Sequence, residues 1–115
     1  MRQVEISRIV RKKLLSLKED LTERFDENVA GKAITSLVSA MDSLGLFPEK
    51  GVSISSIYSL ETDYCYLFST HNYIVYRFDE TTVTILQLFD ERQDFMKTLF
   101  GLSGRTQESI DYWDE

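Results

Sequence analysis

Glu61-Thr-Asp-Tyr-Cys-Tyr-Leu-Phe-Ser-Thr-His-Asn-Tyr-Ile-Val-Tyr-Arg-Phe-Asp-Glu-Thr-Thr-Val-Thr-Ile-Leu-Gln-Leu-Phe89 is the stretch that decides the fold. Three runs rich in aromatic and β-branched residues are divided by two short polar breaks, Thr70-His71 and Asp79-Glu80-Thr81. That pattern predicts an antiparallel three-stranded meander, with strands over Asp63–Ser69, Asn72–Phe78 and Thr82–Phe89. A two-residue turn at Thr70-His71 pairs Ser69 with Asn72, Leu67 with Ile74 and Cys65 with Tyr76. A second loop of two or four residues sets Arg77 opposite Thr84 and Val75 opposite Leu86.

Side chains alternate across a sheet, so this register defines two faces. The first carries Cys65, Leu67, Ile74, Tyr76, Phe78, Val83, Ile85 and Phe89. The second carries Tyr64, Tyr66, Phe68, Tyr73, Val75, Arg77, Leu86 and Leu88. A meander with one wet side alternates apolar with polar residues. Here both faces are apolar, so both require a cover.

Outward from the meander, the chain supplies covers. Arg2–Ser7 alternates, with Val4 and Ile6 on one side, and reads as an edge strand joining the sheet. Ser7 can cap the helix that follows. Val10, Leu14, Leu17, Leu21 and Phe25 form one helical stripe, and Ala30, Ile34, Leu37, Met41 and Leu44 form another. The break at Asp26-Glu27-Asn28 makes the pair an antiparallel hairpin, expected on the first face. Gly45 is expected as a left-handed residue ending the second helix. Leu46–Leu60 contains Pro48 and reads as a loop, with Val52–Ile57 a loosely held strand. Asp94–Gly101 suggests a short helix closed by Gly101. The fold class is therefore α+β, one domain over residues 1–101. An acidic tail over 102–115 is expected to be frayed, with Ile110, Tyr112 and Trp113 available to dock.

Composition narrows the function classes. The chain has 115 residues and a net charge of −6. Residues 1–18 hold six basic side chains against Glu5, a balance of +5. Seven basic and eighteen acidic side chains, −11, are left for the remainder. A nucleic-acid binder is usually basic overall, so any polyanion contact has to be local. Arg8, Arg11, Lys12 and Lys18 read as a solvated helix face, with a phosphate-binding patch as the alternative. One cysteine, Cys65, and one histidine, His71, leave no route to an internal disulfide or a Cys/His zinc cluster. No cofactor or metal is expected. Neither a membrane-length apolar run nor a signal-peptide pattern is present, which makes the cytoplasm the expected location, without membrane contact.

Glycine-rich phosphate loops, HExxH and Gly-x-Ser-x-Gly are missing. His71, in a tight turn, reads as solvated. Asp90, Glu91 and Asp94 around Arg92 read as a solvated ion-pair cluster. Arg77 on the aromatic face and Arg92 beyond the last strand are candidates for phosphate, base or carboxylate recognition, with an edge salt bridge to Asp79, Asp90 or Asp94 as the alternative, the preferred one for Arg77. Tyr64, Tyr66, Phe68, Tyr73, Val75, Leu86 and Leu88 form a candidate patch for a partner segment, because apolar area of this size rarely stays exposed, with cover by the terminal helix or tail as the alternative.

The order strand, helix hairpin, loop, meander, short helix resembles the RelE/ParE superfamily of bacterial toxins. So do Asn72-Tyr-Ile-Val-Tyr-Arg-Phe-Asp79, Val83-Thr-Ile-Leu-Gln-Leu-Phe-Asp-Glu-Arg-Gln-Asp-Phe95 and the loop Gly45–Gly51, and the resemblance spans residues 2–101. It implies a toxin of a toxin–antitoxin pair, held by a cognate antitoxin. Some members cleave mRNA on the ribosome, and ParE-like members poison DNA gyrase. Carried over by position, the family's arginine after the last strand matches Arg92, while the one near the start of the Tyr-φ-φ strand falls on Tyr73. Its second-strand lysines meet Glu61, Thr62 and Asp63, and Phe95 stands near where a terminal Tyr or His is expected. Cleavage needs positive charge at the developing oxyanion. The expectation is thus a ParE-like toxin that acts by binding. A ribosome-dependent endonuclease using Arg92, with Arg77, Tyr73 or His71, is the alternative, and a non-toxic interaction domain is the third reading. Association into a homodimer stays open.

Overall fold

The structure, a computed structural model, describes residues 1–101; the expectations for the acidic tail lie outside the described residues. Strand β1 (Gln3–Ile6) leads into helices α1 (Arg8–Arg24) and α2 (Glu27–Ser43). After a 3-10 turn at Pro48–Lys50 come β2 (Val52–Ser53) and a single helical turn, α3 (Ile54–Ile57). The meander is β3 (Cys65–Ser69), β4 (Asn72–Phe78) and β5 (Thr82–Asp90), and α4 (Phe95–Phe100) closes the fold. The sheet runs β1-β5-β4-β3-β2, with β1 parallel to β5 and the remaining pairs antiparallel.

Local chemistry accounts for the boundaries. Ser7 caps α1, its side chain accepting from the Val10 N–H, and Asp26 does the same for α2 through Val29. Thr70 and His71 both have positive φ, 51° and 63°, the geometry of the two-residue hairpin turn that matches strand twist. In the second turn Asp79 Oδ1 accepts from the N–H groups of Thr81 and Thr82, bonds that hold its carboxyl below the usual range. Gly101 ends α4 in the left-handed conformation, φ 72°.

Gly45 departs from expectation, since its φ is not positive. A Cβ there would lie 2.8 Å from the Arg2 carbonyl oxygen, and the Gly45 carbonyl accepts from the Arg2 N–H. Close approach of β1, not helix termination, is what requires glycine. Gly51 is tighter: its Cβ would meet both the Tyr66 carbonyl and the Tyr76 hydroxyl at 2.5 Å.

The expected pairings of β3 with β4 are present, as is Arg77 opposite Thr84. Val75, however, faces Gln87, because Leu86 is an extra residue without a partner on β4. This β-bulge exchanges the faces of everything after it. Leu88 turns to the helix hairpin and Phe89 to the opposite side, the reverse of the sequence expectation.

Two cores result. Val10, Leu37, Met41 and Leu44 of the hairpin pack on Cys65, Ile74, Tyr76, Val83, Ile85 and Leu88. On the other face Ile54, Phe95 and Met96 cover Tyr66, Tyr73, Val75 and Phe89. Leu86 belongs to neither. Beyond the end of β1 the free edge of β5 is capped by side chains: the Ser7 hydroxyl donates to the Leu86 carbonyl, and Lys13 Nζ to the Leu88 carbonyl at 2.9 Å. Burial lowers the Lys13 pKa, and its ammonium also lies 4.6 Å from the centre of the Phe89 ring. An edge closed in this way is a poor template for further strands.

Tyr76 pins the loop after α2 to the sheet. Its hydroxyl donates to the Pro48 carbonyl at 2.7 Å and accepts from the Gly51 N–H at 3.1 Å. Burial, first of all, pushes this phenol up to about 12. Ionisation is then harder in the folded than in the unfolded chain. The stabilisation is complete below the unfolded value near 10 and is lost as pH rises toward 12. Tyr76→Phe should cost about 1–3 kcal/mol in urea unfolding at neutral pH and flatten the stability profile between those two values. Gly51→Ala should destabilise by roughly 1–3 kcal/mol. Gly31→Ala, with nothing within 4 Å of its Cβ, should stabilise α2 by up to about 1 kcal/mol; equal effects of the two alanines would contradict this packing.

Candidate functional site

The four candidate residues do not converge. Arg77 lies exposed near one end of β4, five residues from Asn72, roughly 17 Å of strand at about 3.3 Å per residue. Arg92 is exposed just beyond the other end of the sheet. Tyr73 is 1% exposed, its ring 4.9 Å from that of Phe95 and 5.6 Å from that of Tyr66. It is a core residue and cannot touch a substrate in this conformation.

His71 and Arg92 do share a corner. The bulge sets Asn72 opposite Asp90, so the next residues outward, His71 and Glu91, also meet. The Glu91 N–H donates to the His71 carbonyl, and His71 Nδ1 lies 3.2 Å from Glu91 Oε1. Glu91 is buried while the His71 side chain is about half exposed. The sequence reading of Glu91 as solvated is corrected here, whereas His71 stays exposed while meeting Glu91. The signal it lacked was the bulge, without which residue 71 would face residue 90.

The other carboxylates at this corner serve the backbone. Asp90 Oδ1 accepts from the Arg92 N–H at 2.9 Å, and Asp94 caps α4 by accepting from the Lys97 N–H. Among the described residues no group of three or more His, Cys, Asp or Glu side chains is placed to hold a metal. Cys65 is buried, and burial pushes its thiol up, so it is no nucleophile.

The expected partner patch is filled from within the chain. Tyr66, Tyr73 and Val75 lie beneath α4 and Ile54, and Leu88 is buried under the hairpin on the other face. Phe95 is central, with ring centres 5.5 Å from Tyr66 and 6.0 Å from Phe89, and Tyr64 meets Phe100 at 6.0 Å. Tyr64 and Phe68 remain half-buried at its margins, and Leu86, at the bulge, is half-buried outside both cores. Cover by the terminal helix, the alternative to a partner patch, is what α4 provides, although six residues are too few for periodicity to show which way a helix faces.

Beside His71 a cleft of about 330 Å³ opens between the hairpin tip and the β3–β4 turn. Leu17, Leu21, Phe25, Val29 and Ala33 form its apolar wall, and Asp20, Arg24, His71 and Asp90 its polar rim. Phe25, expected as part of the buried stripe, is instead 59% exposed here, since α1 ends before it. The corner thus offers two guanidinium groups, Arg92 and the Asp20-paired Arg24, one imidazole and an apolar hollow, an arrangement suited to gripping a side chain.

No family model matches the sequence, and no curated protein matches it either. Among solved structures, a chain of the chromosomal ParDE TA system from P. aeruginosa superposes with a TM-score of 0.65. The likeness covers 78% of this chain and 96% of that one at 15% identity. The two chains share their fold. Within it, the hairpin on one sheet face and the short terminal helix on the other are as described above, and no described helix is long and apolar enough to cross a membrane.

Because Phe95 holds the second face together, Phe95→Ala should lose about 3–5 kcal/mol and raise binding of an apolar dye as Tyr66 and Tyr73 become accessible. Asp94→Ala, which removes the cap of α4, should cost about 1 kcal/mol. Hydrogen exchange should show that loss in α4 before the hairpin; uniform loss across the fold would contradict a locally capped lid.

Proposed function

We propose that this chain is the toxin of a type II toxin–antitoxin pair, acting by binding its target and neutralised by a cognate antitoxin. By its resemblance to ParE-like toxins, the target is DNA gyrase. The RelE/ParE-type fold carries the reading, and the dispersal of the candidate cations supports binding over cleavage. A phosphoryl-transfer site gathers positive charge around one phosphate. Here Arg77 and Arg92 stand at opposite ends of the sheet, Tyr73 is sealed in the core, and exposed Glu61 and Asp63 occupy positions where the ribonucleases of the superfamily place lysines. The accessible surfaces left for an antitoxin are the hairpin, the cleft beside His71, the margin residues Tyr64 and Phe68, and Leu86 at the bulge.

A ribosome-dependent endonuclease is the second reading, favoured by one observation: His71 and Arg92 stand at the same corner, either side of Glu91. Induced expression with pulse labelling separates the two. Filamentation and DNA-damage signalling are expected, relieved by co-expressing a cognate antitoxin. Early loss of protein synthesis with cut transcripts, abolished by Arg92→Ala, would move the assignment to the endonuclease. Unimpaired growth in every host tried would leave an interaction domain on a toxin fold.

A further inference from the structure

The loop that leaves α2 carries a surface with no part in the corner beside His71 or in the outer face of the hairpin. Leu46 and Phe47 are 59% and 63% exposed and belong to neither core. They follow Gly45, whose carbonyl accepts from the Arg2 N–H. With Arg2, Pro48, Glu49 and Lys50 they line an open hollow of about 700 Å³. Met1, also exposed, precedes Arg2 at the same end of the sheet. Among the described residues neither Glu49 nor Lys50 forms an ion pair, while Arg2 donates Nε to the Asp79 carbonyl and lies over the Phe78 ring.

This loop is not slack. The Phe47 N–H donates to the Ser43 carbonyl and the Lys50 N–H to the Phe47 carbonyl. Pro48 is buried, and the Tyr76 hydroxyl holds both its carbonyl and the Gly51 N–H. The backbone is thus fixed on both sides of two large apolar side chains that add nothing to either core. A surface ordered before it meets a partner loses less freedom on binding. Its residue types fit too, since aromatic residues, Met and Arg are enriched at the centres of protein interfaces.

We propose that this surface joins two copies of the chain about a two-fold axis. Such a contact sets one patch against itself, so the patch must carry both halves of every interaction. This one does. Phe47 projects beside a hollow, so Phe47 of one copy can enter the hollow of the other. Glu49 adjoins Lys50, both exposed, so the carboxylate of each copy meets the ammonium of the other. An anionic surface, whether nucleic acid or lipid, would set Glu49 against like charge. Six lining residues are few against the roughly 20–30 per side of a standard interface, so the dimer is weak and concentration-dependent. The corner beside His71 lies at the opposite end of β4 and stays accessible in both copies. The inference does not require toxicity, since the test reads association alone.

Analytical ultracentrifugation of the full chain over a wide range of concentration tests this. The expected result is a shift from monomer to dimer that is lost in Phe47→Ser. It should weaken about tenfold or more in Glu49→Lys and in Lys50→Glu taken singly, circular dichroism remaining unchanged. Mixing those two charge variants should restore association as a heterodimer, because one patch then carries two cations and the other two carboxylates. A chain that stays monomeric, a dimer indifferent to Phe47→Ser, or a mixture no tighter than either variant alone would overturn it. So would Phe47-dependent binding of phosphatidylserine vesicles or single-stranded RNA in place of the dimer.

Discussion

A strand buried on both faces is the constraint from which the rest of this structure follows. Tyr73, Ile74, Val75 and Tyr76 of β4 are each at most 1% exposed, alternately toward opposite sides of the sheet. Such a strand demands two covers, and the chain builds them from very different lengths of sequence. Two seventeen-residue helices cover one side, while a six-residue helix and a single helical turn cover the other. The bulge at Leu86 reconciles them: it delivers Leu88 to the hairpin and Phe89 to Phe95, giving each cover an apolar partner from the same strand.

Sealing both faces changes where chemistry can happen. With the aromatic face closed by Phe95 and Met96, the accessible features include the two ends of the sheet, the hairpin tip, the outer side of α1 and the loop at Leu46 and Phe47. The corner at His71 joins a buried carboxylate, a half-exposed imidazole and an exposed guanidinium beside an apolar hollow. These groups can orient and hold. Stabilising a dianionic transition state takes several cations aimed at one point, and the strands carry Arg77 away from Arg92.

The charge distribution follows the same division. Cations are concentrated on β1 and α1, and acids dominate the remainder. Lys13 shows how one of these cations is absorbed structurally, by capping the open edge of β5, whereas Arg8, Lys12 and Lys18 have no carboxylate partner among the described residues.

The sequence alone pointed to β1, the helix hairpin, the meander and the short terminal helix, the Thr70-His71 turn, the pairing of β3 with β4, the helix cap at Ser7 and the α+β class. Each rests on local chemistry or on a period of 2 or 3.6, which neighbours in the chain specify without help. It also pointed to both sheet faces being apolar. Val52–Ile57, expected as a loosely held strand, is instead two strand residues and the helical turn Ile54–Ile57. Only the tertiary structure decided which segment closes the second face, that Leu86 bulges, that His71 meets Glu91, and that Gly45 is needed for the approach of β1. One extra residue in a strand leaves no local mark, yet it reverses every later side chain. Contacts between residues 71 and 91 or 45 and 2 exist only once separate pieces of chain are packed together.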